Sequence, residues 1–402
     1  MPPPAPHTAR LALAVLLTAA ARAHAQDAAG LERELIDEAL NRRPVRLVAL
    51  DAQQVTVQNA RGGTERLPVE RVVAIVPLLV DAAPQDGAAS ARQTQGSGAG
   101  LAVLTDGQRL PGLPGPGASA DALRWNSPLL GDATIPLESL ALALYRPLAP
   151  GLHLPDEVSE DTALLANGDV VRGFVELMPR TGGAPALRVE PASGDPLTIE
   201  PVRVVGVRFA NPPASAAGAW AWFVDGTSLA LNDARVARGK LTAAAAVSGS
   251  PVAVDVAAVR AFAPRRERVQ AINELPMSWS QASSDRPWTP PPAVQRADEA
   301  PLGAADIALS GPIEVVWTAP EGAERFCASV ELPVTCRVWG SCDITLSSGG
   351  REVWSASLRP GSPKAAFNVQ VAPGPIVLRV TDAGDGPIED RVLIRRGLVL
   401  RR

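Results

Sequence analysis

The densest group of chemistry-bearing side chains in this sequence is Asp382, Asp385, Glu389 and Asp390, interleaved with Gly384 and Gly386 near the C-terminus. Carboxylates at this spacing offer the hard oxygen ligands that Ca²⁺ takes, so a Ca²⁺ site at Asp382, Asp385 and Asp390 is one reading. The other is Asp-Gly turn chemistry, in which each carboxylate satisfies nearby backbone. Three cysteines, Cys327, Cys336 and Cys342, stand shortly before this run. In an oxidising compartment a Cys336–Cys342 disulfide would staple the loop 337–341, although three pairings are open. A zinc site is not expected, because His153 is the only histidine beyond the N-terminal segment and is remote in sequence from the thiols.

Covalent catalysis by Ser or Cys wants a nearby base, and the chain has no Gly-x-Ser-x-Gly elbow, His-Glu-x-x-His, Walker loop or Gly-x-Gly-x-x-Gly. A glycosidase needs only two carboxylates. Here, however, acidic residues gather in linkers and turns such as Asp156-Glu157 and Glu160-Asp161, poor places to hold two carboxyls rigidly around a bond. The expectation is a binding protein and not an enzyme. Aromatic faces are the other common means of holding a ligand, and the aromatics on offer are Trp317, Trp339 and Trp354, with Trp279 and Trp288 in the approach. A tryptophan in a β-protein is ordinarily core. Trp339 is the exception, because it sits beside Gly340-Ser341 between two cysteines, in loop-like sequence.

The elements that must position these residues are read from the rest of the chain. Residues 1–25 have the layout of a secretory signal: Arg10, an apolar run from Leu11 to Ala20, and Ala23-His24-Ala25. The run is too short to span a bilayer. An exported protein, periplasmic or extracellular and not membrane-spanning, is expected. The formal charge of −4 offers no basic surface to nucleic acid. At 402 residues the chain exceeds what one core usually organises, so several domains are expected.

Leu31, Leu35, Ile36, Ala39 and Leu40 recur at helical spacing before Pro44, predicting one short amphipathic helix. Beyond it a strand ending repeats four times, apolar at its first, third, sixth and ninth positions. The copies are Leu67, Val69, Val72, Ile75; Ile135, Leu137, Leu140, Ala143; Ile199, Pro201, Val204, Val207; and Val254, Val256, Val259, Phe262. A strand, a tight turn and another strand would produce this pattern. The last three copies follow a hairpin signal, Asp106-Gly107, Asn167-Gly168 and Asp225-Gly226. The copies start roughly 55 to 70 residues apart, about the size of a five-stranded SH3-like barrel. The resulting division is a helix plus first repeat at 27–80, a flexible linker at 81–100, and repeats at 101–148, 162–211 and 219–264. A Pro-rich linker at 265–301 and a β-sandwich at 302–402 complete it.

In that last domain Glu324-Arg325-Phe326 precedes an alternating strand. Asp343-Ile344-Thr345-Leu346 then runs to Gly349-Gly350-Arg351-Glu352-Val353-Trp354, and Val377-Leu378-Arg379-Val380-Thr381-Asp382-Ala383-Gly384-Asp385-Gly386 is followed by Asp390. This stretch resembles the NPCBM family of carbohydrate-binding modules. The resemblance covers about a quarter of the chain. It implies a galactose-binding-like β-sandwich (a jelly roll) and a glycan or polysaccharide partner, with Trp339, Trp317, Trp354, Asp382, Asp385 and Asp390 as the candidate ligand residues. Where members carry Gly-x-His and Asp-His-x-x-Trp, this chain has Leu309-Ser310-Gly311 and Asp390-Arg391-Val392-Leu393-Ile394. The alternative is therefore a scaffold that binds envelope proteins through a sandwich with no sugar site.

Overall fold

The computed structural model describes residues 32–402 except 60, 79–99, 150–151, 156–157, 181, 282–288, 296–299 and 385–389. The expected signal at 1–25, nearly all of the expected linker at 81–100, Trp288, Asp385 and Glu389 lie outside the described residues. Within them every regular element is a strand or a single 3-10 turn, so the protein is all-β. No helix among them is long and apolar enough to cross a membrane.

Four antiparallel units share one topology. The first comprises β1 Glu32–Asp37, β2 Arg42–Leu50, β3 Gln54–Asn59, β4 Thr64–Pro68 and β5 Val72–Pro77, ordered β5-β1-β2-β3-β4. The second repeats that order with β6 Gly100–Leu104, β7 Arg109–Pro114, β8 Ala122–Ser127, β9 Gly131–Pro136 and β10 Leu140–Leu144. In the third, β11 Thr162–Leu165 is followed by β12 Val170–Arg172, which continues past Gly173 as β13 Phe174–Met178. Then come β14 Ala186–Glu190, β15 Leu197–Ile199 and β16 Val204–Arg208. The fourth comprises β17 Ala219–Phe223, β18 Ser228–Ala237, β19 Lys240–Ala245, β20 Pro251–Asp255 and β21 Val259–Ala263.

The repeated ending has a structural meaning at each position. Its first residue closes the fourth strand of a unit, and its second opens a 3-10 turn at Val69, Leu137, Pro201 or Val256. Its third begins the fifth strand, and its last is where units join, because Ile75 pairs with Phe262 and Ala143 with Val207. Units one and four thus pair through β5 and β21, and units two and three through β10 and β16. In the hairpins Gly107, Gly168 and Gly226 adopt φ of 92, 89 and 88°, while the preceding Asp or Asn accepts the N–H of Gln108, Asp169 or Thr227. This is a type I turn closed by a glycine bulge.

The expected helix is a correction. Residues 32–37 form β1, and Leu40 closes its hairpin at φ 58°, where the other units use glycine. Neighbours Leu35 and Ile36 are both fully buried, on opposite faces: Leu35 in the core shared by the four units, Ile36 in a second core against the C-terminal domain. A strand buried on both faces loses its alternation and imitates helical spacing.

The second strand of units two and three bends at glycine. A Cβ on Gly173 would sit 2.3 Å from the Glu190 carbonyl oxygen, and one on Gly112 2.2 Å from that of Asn126. Backbone cannot yield as a side chain does, so Gly173→Ala should destabilise by at least about 2 kcal/mol. Urea unfolding measures this; a loss below ~0.5 kcal/mol would show that the bend is not needed.

The C-terminal domain is a β-sandwich. Its strands are β22 Val269–Ala271, β23 Met277–Gln281, β24 Ala293–Val294, β25 Ile307–Ser310, β26 Ile313–Ala319 and β27 Ala323–Glu331, then β28 Cys342–Ser348, β29 Arg351–Leu358, β30 Lys364–Gln370, β31 Gly374–Thr381 and β32 Arg391–Arg401. One sheet runs β24-β25-β32-β27-β30 with β22 along the far half of β32, and the other runs β23-β26-β31-β28-β29. Phe326, Val330 and Ile394 of the first meet Val315, Ile344 and Leu378 of the second in a common core.

The Pro-rich segment at 265–301 is not a free linker: β22, β23 and β24 pair with β32, β26 and β25. Pro290, Pro291 and Pro292 obscured β24, because proline is tolerated only beside an edge strand of this kind. The units are not beads in series either. One core runs through all four, and Trp220, Trp222, Val269, Leu302 and Leu398 bond units one and four to the sandwich.

Candidate functional site

Strand register gathers four connections at one end of the sandwich. Glu331 at the end of β27 pairs with Lys364 and Leu393, Asp343 with Thr381, and Ser310 with Arg391. The connections 311–312, 332–341, 359–363 and 382–390 therefore share this loop end, and Trp339, Asp382 and Asp390 come with them.

Trp339 is 75 % exposed, Val338 beside it 64 %, and Val334 in the same connection is also exposed. Burial normally claims side chains of this size, so three of them facing solvent in one short segment form an unpaid apolar surface. The segment is nonetheless firmly held. It folds as a 3-10 turn at Val334–Cys336, and the Gly340 N–H donates to the Cys336 carbonyl over 2.7 Å. Leu332 N–H donates to Pro363 O over 2.8 Å, and Arg337 Nε to Leu332 O over 3.1 Å. Beneath it Glu331, nearly buried, faces three cations: Lys364 at 3.3 Å, Arg395 at 3.3 Å and Arg337 at 3.6 Å. A buried carboxylate is tolerated only when paired in this way.

Polar groups flank the tryptophan loop. Asp343 accepts from Ser357 Oγ at 2.5 Å and from Arg359 Nη2 at 3.1 Å, while Arg359 Nη1 reaches the Cys342 carbonyl at 3.1 Å. The Ser357 hydrogen bond, then Arg359, holds the Asp343 carboxyl below its ordinary value. A carboxyl depressed in the folded state contributes stability above its unfolded pKa and loses it as pH falls through the lower folded value. The Asp343 carboxyl carbon should therefore titrate below that of a free aspartate by NMR, and the shift should shrink in Ser357→Ala. A titration at the free-aspartate pH would refute the arrangement.

Other candidates fall elsewhere. Trp317 is fully buried in the sandwich core, where it pairs with Ile376 at the opposite end, and its indole N–H finds no hydrogen-bond partner among the described residues. Trp354 lies on β29 with its ring 5.0 Å from that of Phe367. Trp317 is closed off as a platform by its burial, whereas Trp354 is half-buried and packs one side against Phe367. Trp279 is partly exposed on the edge strand β23.

Asp382 accepts the Gly384 N–H at 3.3 Å, which is turn chemistry. Asp390 is buried, and its carbonyl accepts the Gly311 N–H at 2.6 Å, tying two connections together. Among the described residues no three His, Cys, Asp or Glu side chains are grouped to hold a metal. The expected Cys336–Cys342 staple is not formed: among the described residues no disulfide joins the buried Cys327, Cys336 and Cys342, and the Glu331 cluster anchors the loop. That cluster and the Asp343–Ser357–Arg359 group had no sequence signal, because their members stand on seven different strands and connections.

No protein-family model matches the sequence, and no curated protein does. Among solved structures the chain is similar to the CBM51-2 and INT domains of Clostridium perfringens ZmpB in complex with GlcNAc, at 14 % identity and a TM-score of 0.28, over 45 % of this chain and 43 % of that one. It thus spans less than half of that structure's length. It is also similar to CBM51 of the Clostridium perfringens GH95 in complex with methyl-galactose, at 15 % identity and TM-score 0.27, over 33 % of this chain and 99 % of that one. The tandem CBM51 modules of Sp3GH98 from Streptococcus pneumoniae are a third, at 9 % identity and TM-score 0.26, covering 72 % and 88 %.

Proposed function

We propose that this protein is an exported, non-catalytic glycan-binding protein whose sugar site is the loop end of the sandwich. The observation that carries the reading is Trp339: an indole 75 % exposed on a loop that the Glu331 cluster holds still. An indole face stacks on the C–H face of a sugar ring, and a fixed loop spares the ordering cost of binding. Asp343, Ser357, Arg359 and Lys364 stand at the same end of the sandwich and offer groups able to accept from and donate to hydroxyls. Asp382 adds a carboxylate at the same end, with Asp385 and Asp390 in its connection, so a bound Ca²⁺ bridging sugar and protein is tested alongside. The four N-terminal units, read as SH3-like barrels from their common strand order, act as a rigid base. Export rests on residues 1–25.

The second reading, an envelope scaffold binding proteins, has its own support in the exposed Phe174 and Val202 of the third unit. The test is a glycan array and polysaccharide pull-down with the full chain, with and without Ca²⁺. Methyl-galactose and GlcNAc serve as the first soluble competitors. Binding that depends on Trp339 supports the sugar reading. A silent array, with envelope proteins retained through the third unit, favours the scaffold.

A further inference from the structure

A second cleft, sharing no residue with the loop end, opens where the second unit, the fourth unit and the entry to the sandwich meet. Its volume is about 200 Å³, below the range of roughly 300–1,000 Å³ that holds drug-sized ligands, so its occupant is one small ring. We propose that this cleft binds a single neutral polyhydroxylated ring, such as one pyranose residue.

The lining carries the chemistry. Trp220 and Trp222 stand together, ring centroids 5.9 Å apart, and both contribute to the wall. Arg266 is nearly buried, lies 6.0 Å from the Trp222 ring centroid, and donates to Glu274 Oε1 at 2.7 Å and to the Val269 carbonyl. Asp106 faces the same space; Gln108 Nε2 holds its carboxylate at 2.9 Å, and Gln108 Oε1 accepts the Ala230 N–H at 2.9 Å across the unit boundary. Asn273 and Ser228 add a carboxamide and a hydroxyl. A seam that merely sealed two domains would be apolar or would close up. This one keeps a mixed set fixed around open space, and Gly303, at φ 67°, stands where a Cβ would come within 3.0 Å of Glu274 Oε1.

Charge selects the ligand. The carboxylates Asp106 and Glu274 are balanced by the guanidiniums Arg109 and Arg266. An anion would meet two acids and a cation two arginines, one of them already at the Trp222 ring. A neutral ring with hydroxyls on its rim and C–H groups on its faces opposes none of them.

The experiment uses the full chain labelled with 5-fluorotryptophan, with the Trp222 and Trp339 resonances assigned by Trp222→Phe and Trp339→Ala. Methyl glycosides of galactose, glucose, mannose and N-acetylglucosamine are titrated in turn, beside tetramethylammonium. At least one glycoside is expected to move the Trp222 resonance saturably, to keep doing so in Trp339→Ala, and to lose the effect in Ala216→Phe, which fills the cleft from a partly exposed wall. A thermal melt confirms that the filled variant is folded, and Ala216→Leu, with a smaller side chain, replaces it if it is not. A Trp222 resonance unmoved by every glycoside overturns the proposal whatever Trp339 does. So does a shift that survives filling, or one given by tetramethylammonium alone. The Trp339 resonance reports separately on the loop end.

Discussion

Trp339→Ala should weaken glycan binding at least about thirty-fold while leaving the melting temperature within a degree of the parent. The binding loss follows from the size of a central aromatic contact, about 2 kcal/mol or more, at 1.4 kcal/mol per factor of ten. The unchanged stability follows from the exposure of the side chain: little apolar area is buried at Trp339, so little is lost, and the loop beneath is fixed by Glu331 and by backbone hydrogen bonds. Calorimetric titration with a ligand from the array and a thermal melt read the two halves. Undiminished binding would remove the loop end as the site. A large drop in melting temperature would show instead that Trp339 is packing.

The second large effect is on stability. Arg396 on β32 pairs with Glu34 on β1 at 2.6 Å and donates to the Pro77 carbonyl at 2.8 Å, while its own carbonyl accepts from Arg42 at 2.8 Å. Burial pulls the Arg396 guanidinium down to about 10, with Glu34 opposing the shift. Arg396→Met should therefore cost about 3–5 kcal/mol, because it strands the Glu34 carboxylate inside the junction between the first unit and the sandwich. The double variant Arg396→Met with Glu34→Leu should recover much of that loss, since replacing both members of a buried pair by apolar groups is often neutral. Guanidinium unfolding of both variants decides. A single variant within ~1 kcal/mol of the parent would mean that the junction is hydrated.

The unit design was legible because it is made by local chemistry. Asp106-Gly107 and its two counterparts specify a hairpin, and Leu67, Val69 and Val72 already spell strand, 3-10 turn, strand. Tertiary burial was not legible. Leu35 and Ile36 read as helix because each serves a different core. β22 and β23 read as linker because nothing near Val269 or Met277 reveals the distant strands that accept them, β32 and β26. At the site, the exposure of Trp339 followed from its Gly-Ser neighbours. Trp317 and Trp354 needed the register, which turns one into the core and lays the other against Phe367. The support under Trp339 was invisible, because Lys364 and Arg395 approach Glu331 from strands remote in the chain.

The nested joining of the units through their fifth strands dictates an assembly order. A chain emerging N-terminus first completes β10 and β16, hence the inner couple, once residue 208 is free, whereas β5 must wait for β21 near residue 263. Until then β5 keeps an open edge, the feature by which strands recruit foreign chains. Closing the longer loop costs more entropy and comes later. The first unit thus waits longest for its partner, and the period before β21 arrives is when this protein is most exposed to misassociation.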